Sequence, residues 1–368
     1  MNNLNLFRYQ IPFKKPLVTG NGTYSKREGL LLQFKNGNLT SWGEIAPLPG
    51  FSDESLDDCI SWIEQHQQLL NSSFTDGLDK EANFINWDSF PHFAPKPVQF
   101  GWDCLLAGTR SHLTQRPVSA LLSENPAQKV SFNKLASLAD LTTESDIKML
   151  SDELESARIS ALKLKIGDLD SSSLEKLALL KKLGPNINLR LDPNGSWSFQ
   201  QLKNHIKELE ELDPEYIEQP FHVDDFTGYK KMRKKTNLRI ALDESVWDLN
   251  SAEFFLRTKL PDFIIVKPMF WGSLNNISRL KKLADHFGVE LIFTTALESA
   301  VGRFYTSHIA AAFGTTGRAH GLHTGPLLKQ DFWEDKQWIK NGAYLINQMD
   351  PLPDSITGDE IPLEEVTL

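Results

Sequence analysis

The chain has 368 residues, 40% of them apolar and 24% charged, and a formal net charge of -9. That length accommodates two domains, or one barrel with an accessory domain; the composition is globular rather than disordered, and an acidic chain without a basic stripe argues against nucleic acid and anionic membrane surfaces as partners. No apolar run approaches the ~18 residues of a membrane span, MNNLNLFRYQIPF lacks the cationic-then-apolar order of a secretory signal, and the two cysteines, Cys59 and Cys104, form neither a disulfide framework nor a zinc motif, which fits a reducing cytoplasm.

Up to about Gln115 the pattern is strand-like and then helical. GLLLQFKNGNLTSWGEI reads as a hairpin turning near Asn36-Gly37-Asn38. DESLDDCISWIEQHQQLL follows, with Leu56, Cys59, Ile60 and Ile63 as a helical stripe opened by acidic residues. Together they make an α+β unit in which Trp42 and Phe51 are expected to pack. GNG at Gly20–Gly22 is either a lid over a mouth or a plain turn.

From about Lys129 a strand–helix rhythm takes over. VSFNKLASL and ALKLKIG read as strands. SSSLEKLALLKKLG reads as a helix with Ser172 and Glu175 as a capping box and Gly184 at its C-terminal stop. NLRLDPN is the next strand, and FQQLKNHIKELEELDP reads as one helix with Phe199, Leu202, Ile206 and Leu209 on a face. PEYIEQP, LRIALDES and DFIIVKP are further strands. SLNNISRLKKLADHFG is a helix striped by Leu274, Ile277, Leu280 and Leu283, and ELIFTTALES and AHGLHTG close the series.

The spacing is regular: 27 positions from Lys165 to Asp192, then 26 to Glu218, 25 to Asp243, 24 to Lys267, 27 to Thr294 and 26 to His320. Eight strand-like segments, one per 25–30 or so residues, suit a (β/α)8-type barrel. An open doubly wound sheet shares the rhythm, but it usually carries a Gly-rich phosphate turn and none is present. The Pro-rich, acidic last 35 or so residues look like a return segment packing on the first unit.

The strands carry ionisable residues near their C-terminal ends: Lys163 and Lys165, Asp192, Glu218, Asp243 and Lys267. Barrel active sites are assembled from that end. Each residue alone reads equally well as a helix cap or a surface ion-pair partner, and KLK alone suggests two lysines in water. Asp192, Glu218 and Asp243 on three adjacent strands suit Mg²⁺, which prefers oxygen donors, and no His or Cys cluster competes for zinc. On a closed barrel the lysines of the second and sixth strands face each other across such a metal. Burial beside a cation lowers a lysine's pKa toward that of a general base, and the chemistry this suits is proton removal α to a carboxylate.

KLK at Lys163–Lys165, LRLDPN around Asp192, YIEQP around Glu218, ALDES around Asp243 and IIVKP around Lys267 together resemble the enolase superfamily in its two-lysine branch, a superfamily known for a Lys or His base with Mg²⁺. WGEIAPLPGFSDES, TTALESAVG and GLHTGPLL are similar to patterns of the o-succinylbenzoate synthase family within that branch. The resemblance implies an α/β fold, a (β/α)7β-type TIM barrel at 121–330 with an N-terminal α+β capping domain at 1–120, completed by a C-terminal segment at 331–368. It also implies a cytoplasmic lyase of menaquinone biosynthesis with a small carboxylate substrate, performing a syn dehydration. Lys165 is then the general base and acid, Lys267 stabilises the enediolate from the opposite face, and Lys163 gives electrostatic support. Asp192, Glu218 and Asp243 hold Mg²⁺, with Mn²⁺ as a substitute. Arg190, Asn194, Thr295 and Glu298 are candidates to touch substrate or to support the ligands. His320 and His323 flank the last strand, where packed or solvated histidines are the ordinary case.

Other activities share the framework. N-acylamino acid racemases and dipeptide epimerases also need a lysine on each face. Dipeptide epimerases typically carry Asp-x-Asp where this chain reads GLHTG, and mandelate-racemase-like members need a His near FTTALES, which has none. Muconate lactonisation and a barrel that binds a carboxylate without catalysis are the remaining alternatives. The sequence does not fix the oligomeric state.

Overall fold

The computed structural model describes residues 4–19, 22–70, 74, 91–349, 352, 356 and 361–367. The first part is an antiparallel sheet of β1 (Leu4–Thr19), β2 (Gly22–Asn36) and β3 (Leu39–Ile45). The turn between β2 and β3 falls at Gly37, whose φ of +61° is a conformation glycine adopts without strain. Alternation along β1 buries Tyr9, Ile11 and Phe13 and leaves Gln10, Pro12 and Lys14 in water. On the covered face, β3 packs against a helix, Lys96–Thr114. That approach is close enough that a Cβ on Gly43 would lie 2.0 Å from the Gly101 carbonyl oxygen, so glycine is required there. The last strand of the chain, Glu364–Val366, pairs antiparallel with β1 on its other edge and completes this sheet.

The second part is a parallel sheet whose strands neighbour one another in sequence order: β5 (Lys134–Ser137), β6 (Ala161–Lys165), β7 (Asn188–Asp192), β8 (Tyr216–Glu218), β9 (Ile240–Leu242), β10 (Phe263–Val266) and β11 (Glu290–Phe293). Strands β8 to β11 alternate between two apolar environments. Leu162, Leu164, Leu189, Leu191, Ile264 and Val266 join the core shared with the surrounding helices. Tyr216, Ala241, Phe263, Ile265 and Ile292 form a separate cluster on the opposite, concave face. The segment at His320–Gly321 bonds to both edges of the curled sheet. The His320 N–H donates to Ser131 O and its carbonyl accepts from the Asn133 N–H, while the Gly321 N–H donates to Phe293 O and its carbonyl accepts from the Thr295 N–H.

Several local expectations change. VSFNKLASL is two strands, because β4 (Lys129–Ser131) leaves the parallel sheet to pair antiparallel with Ala343–Leu345. FQQLKNHIKELEELDP is two helices, Phe199–Asn204 and Ile206–Leu212, broken where His205 takes φ -127°. The helix Ser171–Leu183 is capped by the Asp170 carboxylate accepting from the Ser173 N–H, not by Ser172 and Glu175, and Gly184 closes it at φ -126°, outside the left-handed region. In the candidate lid, Gly20 and Asn21 lie outside the described residues.

His320 at the seam is buried, and its Nδ1 accepts the Phe293 N–H at 3.0 Å. Burial, with Arg190 nearby, pushes its pKa down to about 3. The native imidazole therefore stays neutral while the unfolded chain takes up a proton below about 6.5. Its contribution is intact above that pH and is lost as pH falls toward about 3. His320→Gln keeps an acceptor for the Phe293 N–H and is expected to lose stability less steeply than the parent between those limits in urea titrations; parallel slopes would rule this out.

Candidate active site

The strand register carries the ionisable residues to one end of the sheet. Lys165 is opposite Asp192, both at the last position of their strands; Glu218 ends β8; Asp243 and Lys267 lie one residue beyond β9 and β10. Lys163 and Lys165 alternate with Leu162 and Leu164, which belong to the helix-facing core, so the polar face of KLK turns to the concave side.

There the charges pair. Lys163 Nζ lies 2.8 Å from Asp192 Oδ2 and 2.5 Å from Glu218 Oε1. Lys165 Nζ donates to Asp192 Oδ2 at 2.7 Å and to Asn194 Oδ1 at 2.6 Å. Lys267 Nζ donates to the two Asp243 oxygens at 2.6 and 2.5 Å. Asp192 and Glu218 are 1% exposed, whereas the Lys165 side chain is 40% exposed, so Lys165 is the lysine that reaches into open space. A cavity of about 670 Å³ opens above, within the range of small-molecule sites. Lys163, Lys165, Asp243, Glu244 and Lys267, with the neutral Asn194 among them, form its polar floor and Leu17, Leu48, Phe51, Phe270 and Leu297 its apolar walls.

The electrostatics follow from burial. Burial pulls the Lys163 ammonium down, but Asp192 and Glu218 outweigh it and hold its pKa well above the ordinary value; burial likewise pulls Lys267 down, and Asp243 and Glu244 outweigh it and leave its pKa raised. Burial raises the Asp192 carboxyl, yet Lys163 and then Lys165 carry it below the usual carboxylate range. For Glu218, burial and then the Asp192 charge prevail, and its pKa is pushed up to about 8.

Among the described residues, no three His, Cys, Asp or Glu side chains are arranged to hold a metal ion. Each carboxylate of the expected trio is turned to a lysine. The donor chemistry nevertheless fits a hard divalent cation, because all three are buried oxygen donors and Glu218 Oε2 is buried with no hydrogen-bond partner.

The secondary candidates scatter. Asn194 lines the cavity between Lys165 and Glu244. Thr295 lines it too, its hydroxyl 2.8 Å from that of Thr324. Arg190 does not: fully buried below, it donates to Glu215 at 2.6 Å and to Asn133 at 3.1 Å and lies over the Tyr216 ring. Glu298 is fully buried and accepts the Ala296 N–H, ordering the turn after β11, and burial pushes its pKa up to about 7.

Residues 1–107 match the family described as MenC, N-terminal domain, and residues 146–351 match the one described as Enolase C-terminal domain-like. The second match spans more than half of the chain. This chain belongs to the enolase superfamily. Among curated relatives, the o-succinylbenzoate synthase of Pasteurella multocida (strain Pm70) is 26% identical over 94% of this chain and 96% of its own length. That of Aliivibrio salmonicida (strain LFI1238) is 26% identical over 92% and 94%. Solved structures share the fold: the L-Ala-D/L-Glu epimerase from Bacillus subtilis has a TM-score of 0.73 at 21% identity, over 90% of this chain and 92% of that one. A probable mandelate racemase from Alicyclobacillus acidocaldarius has a TM-score of 0.80 at 18%, over 98% of each.

Sequence reasoning passed over other residues of this superfamily member. Phe51, expected to pack inside the first unit, instead lines the cavity with its ring 5.9 Å from Lys267 Nζ. Glu244, adjacent to Asp243 in ALDES, was legible only as part of that motif. Glu44, at the end of β3, is fully buried and reaches the helix Ala300–Phe313. It accepts from the Ser299 N–H at 2.9 Å, the Gly302 N–H at 2.7 Å, the Ser299 hydroxyl and the Tyr9 hydroxyl. Arg27 on β2 donates to Leu297 O at 3.1 Å, Pro47 O at 2.6 Å and Ala46 O. These two side chains tie the antiparallel sheet to both loops that wall the cavity. Glu44→Ala leaves several buried donors unpaired and is expected to cost ~2–4 kcal/mol in urea unfolding; an unchanged midpoint would contradict that reading.

Proposed function

We propose that this chain catalyses the Mg²⁺-dependent syn dehydration of 2-succinyl-6-hydroxy-2,4-cyclohexadiene-1-carboxylate to 2-succinylbenzoate and water, a lyase step of menaquinone biosynthesis and the activity named for its curated relatives. The observation that carries the reading is that lysines from β6 and from the end of β10 share one cavity floor with Asp243 and Glu244, while Lys163 and Lys165 pair with Asp192 and Glu218 from the strands between. The parallel sheet with His320–Gly321 bonded across its seam supports a (β/α)7β-type barrel at 121–330. The pairing of Glu364–Val366 with β1 supports a capping domain at 1–120 completed by 331–368. A cytoplasmic location agrees with this chemistry.

In this mechanism Lys165 Nζ, the exposed lysine, removes the proton from the ring carbon that bears the carboxylate. The C–H electron pair moves into the carboxylate to give an enediolate. Lys267, four strands away, donates toward the enediolate oxygens from the other face, and Lys163 sits beside the base and the substrate carboxylate. The electrons then return to expel the hydroxyl, which leaves as water with the proton that Lys165 carries. Base and acid are one residue, so the proton and the hydroxyl depart from one face. Asp192, Glu218 and Asp243 would hold Mg²⁺, or Mn²⁺ in its place, which supplies positive charge for the enediolate oxygens. The apolar walls keep water from the ring.

Lys165→Ala is expected to reduce dehydration by at least ~1,000-fold while Mg²⁺ affinity by calorimetry stays near that of the parent. Near-parental turnover would remove Lys165 as the base. Asp243→Asn is expected to weaken Mg²⁺ binding ~10-fold or more, and EDTA to abolish turnover; unchanged affinity in that variant would count against the ligand trio.

A further inference from the structure

Lys165 is held at the cavity floor by two acceptors of different kinds. One is the Asp192 carboxylate, which accepts from any direction around its oxygen. The other is the Asn194 carboxamide, which accepts only through Oδ1 and would turn two N–H groups toward the ammonium if flipped. The orientation is fixed from another strand, where Asn194 Nδ2 donates to Glu244 Oε1 at 3.0 Å. The Asn194 backbone is fixed as well: its N–H donates to Asp192 Oδ1 at 3.0 Å, and its φ of 48° lies in the left-handed region, where asparagine is enriched. Glu244 follows Asp243, the partner of Lys267, so one loop supports the lysines of both faces.

We infer that Asn194 is a positioning residue for the general base and that Glu244 acts through it, locking the carboxamide so that Oδ1 faces Lys165. The inference rests on the proposed role of Lys165. The chain Glu244–Asn194–Lys165 restricts the ammonium to one direction out of the floor, and reaction rates are sensitive to displacements of about 1 Å at such a group.

The test uses four variants of the full-length enzyme with Mg²⁺ present. Asn194→Gly removes the carboxamide and tolerates the positive φ; Glu244→Ala removes the lock; Glu244→Gln keeps an acceptor oxygen; the fourth joins Asn194→Gly to Glu244→Ala. The two truncations are expected to lower kcat ~10- to 100-fold with KM within about twofold. The double variant should lose less than the two single losses combined, because Glu244 reaches Lys165 through Asn194 even though its charge also faces Lys267, and Glu244→Gln should recover most of the loss. Additive losses, a raised KM with unchanged kcat, or a ~10-fold weaker Mg²⁺ affinity in Glu244→Ala would overturn the inference.

A second readout does not depend on turnover. After reductive methylation with ¹³C-formaldehyde, the Lys165 signal, assigned by its loss in Lys165→Arg, should shift in both truncations and hold in Glu244→Gln. A parent that shows this pattern without dehydrating the cyclohexadiene would refute the proposed reaction and leave the positioning standing. A parent that dehydrates, with a Lys165 signal indifferent to both truncations, would refute the positioning and leave the reaction standing.

Discussion

The structure is organised around an excess of buried negative charge. Asp192, Glu218 and Asp243 end neighbouring strands of a parallel sheet, Glu244 follows directly, and three of these four are nearly removed from water. Buried carboxylates at this spacing repel strongly unless cations stand between them. Three lysines do: Lys163 between Asp192 and Glu218, Lys165 on Asp192, and Lys267 on Asp243. Four carboxylates against three ammonium groups leave the floor short of one positive charge. The shortage surfaces at Glu218 and Glu244, each with a buried oxygen lacking a partner and a raised pKa, that of Glu218 pushed up to about 8. A divalent cation is the natural complement of such a floor, and freeing the lysines from their carboxylates is what acid–base work at this site requires.

The rest of the molecule holds that floor and closes a room over it. Below it the concave face is filled by Tyr216, Phe263, Ile265 and Ile292, with Arg190 bound to Glu215, which also takes Arg318. Above it, the walls come from both parts of the chain: Leu17, Leu48 and Phe51 from the first, and Phe270 and Leu297 from the second. Glu44 and Arg27 join those parts through backbone atoms. The walls are therefore tied by buried side chains that bond to the main chain of the loops.

How much of this was legible in the sequence depended on the range of the interaction. Lys163 and Lys165 could be turned inward on paper, because a strand's period of two is a local property and the regular spacing of Asp192, Glu218, Asp243 and Lys267 repeats one βα unit. Arg190 shows the limit of that logic. It shares a face with Asp192 but sits one layer deeper, and only the tertiary partners Glu215 and Asn133 reveal this. Local competition defeated the capping box at Ser172, since Asp170 offers a carboxylate two residues earlier. The break at His205 and the departure of β4 from the parallel sheet depend on what each segment packs against. Glu44 meets Ser299 across 255 positions, and no spacing rule connects them.

The central claim is that this floor removes a proton α to a carboxylate and then loses water, rather than returning the proton to the other face. The most direct measurement follows the disappearance of the cyclohexadiene absorbance with Mg²⁺ present, beside racemisation of an N-succinylamino acid by the same preparation. The account predicts dehydration with a kcat/KM at least ~100-fold above that of racemisation, and none of it in EDTA. Racemisation of equal or greater efficiency, or no dehydration with Mg²⁺ bound, would contradict it.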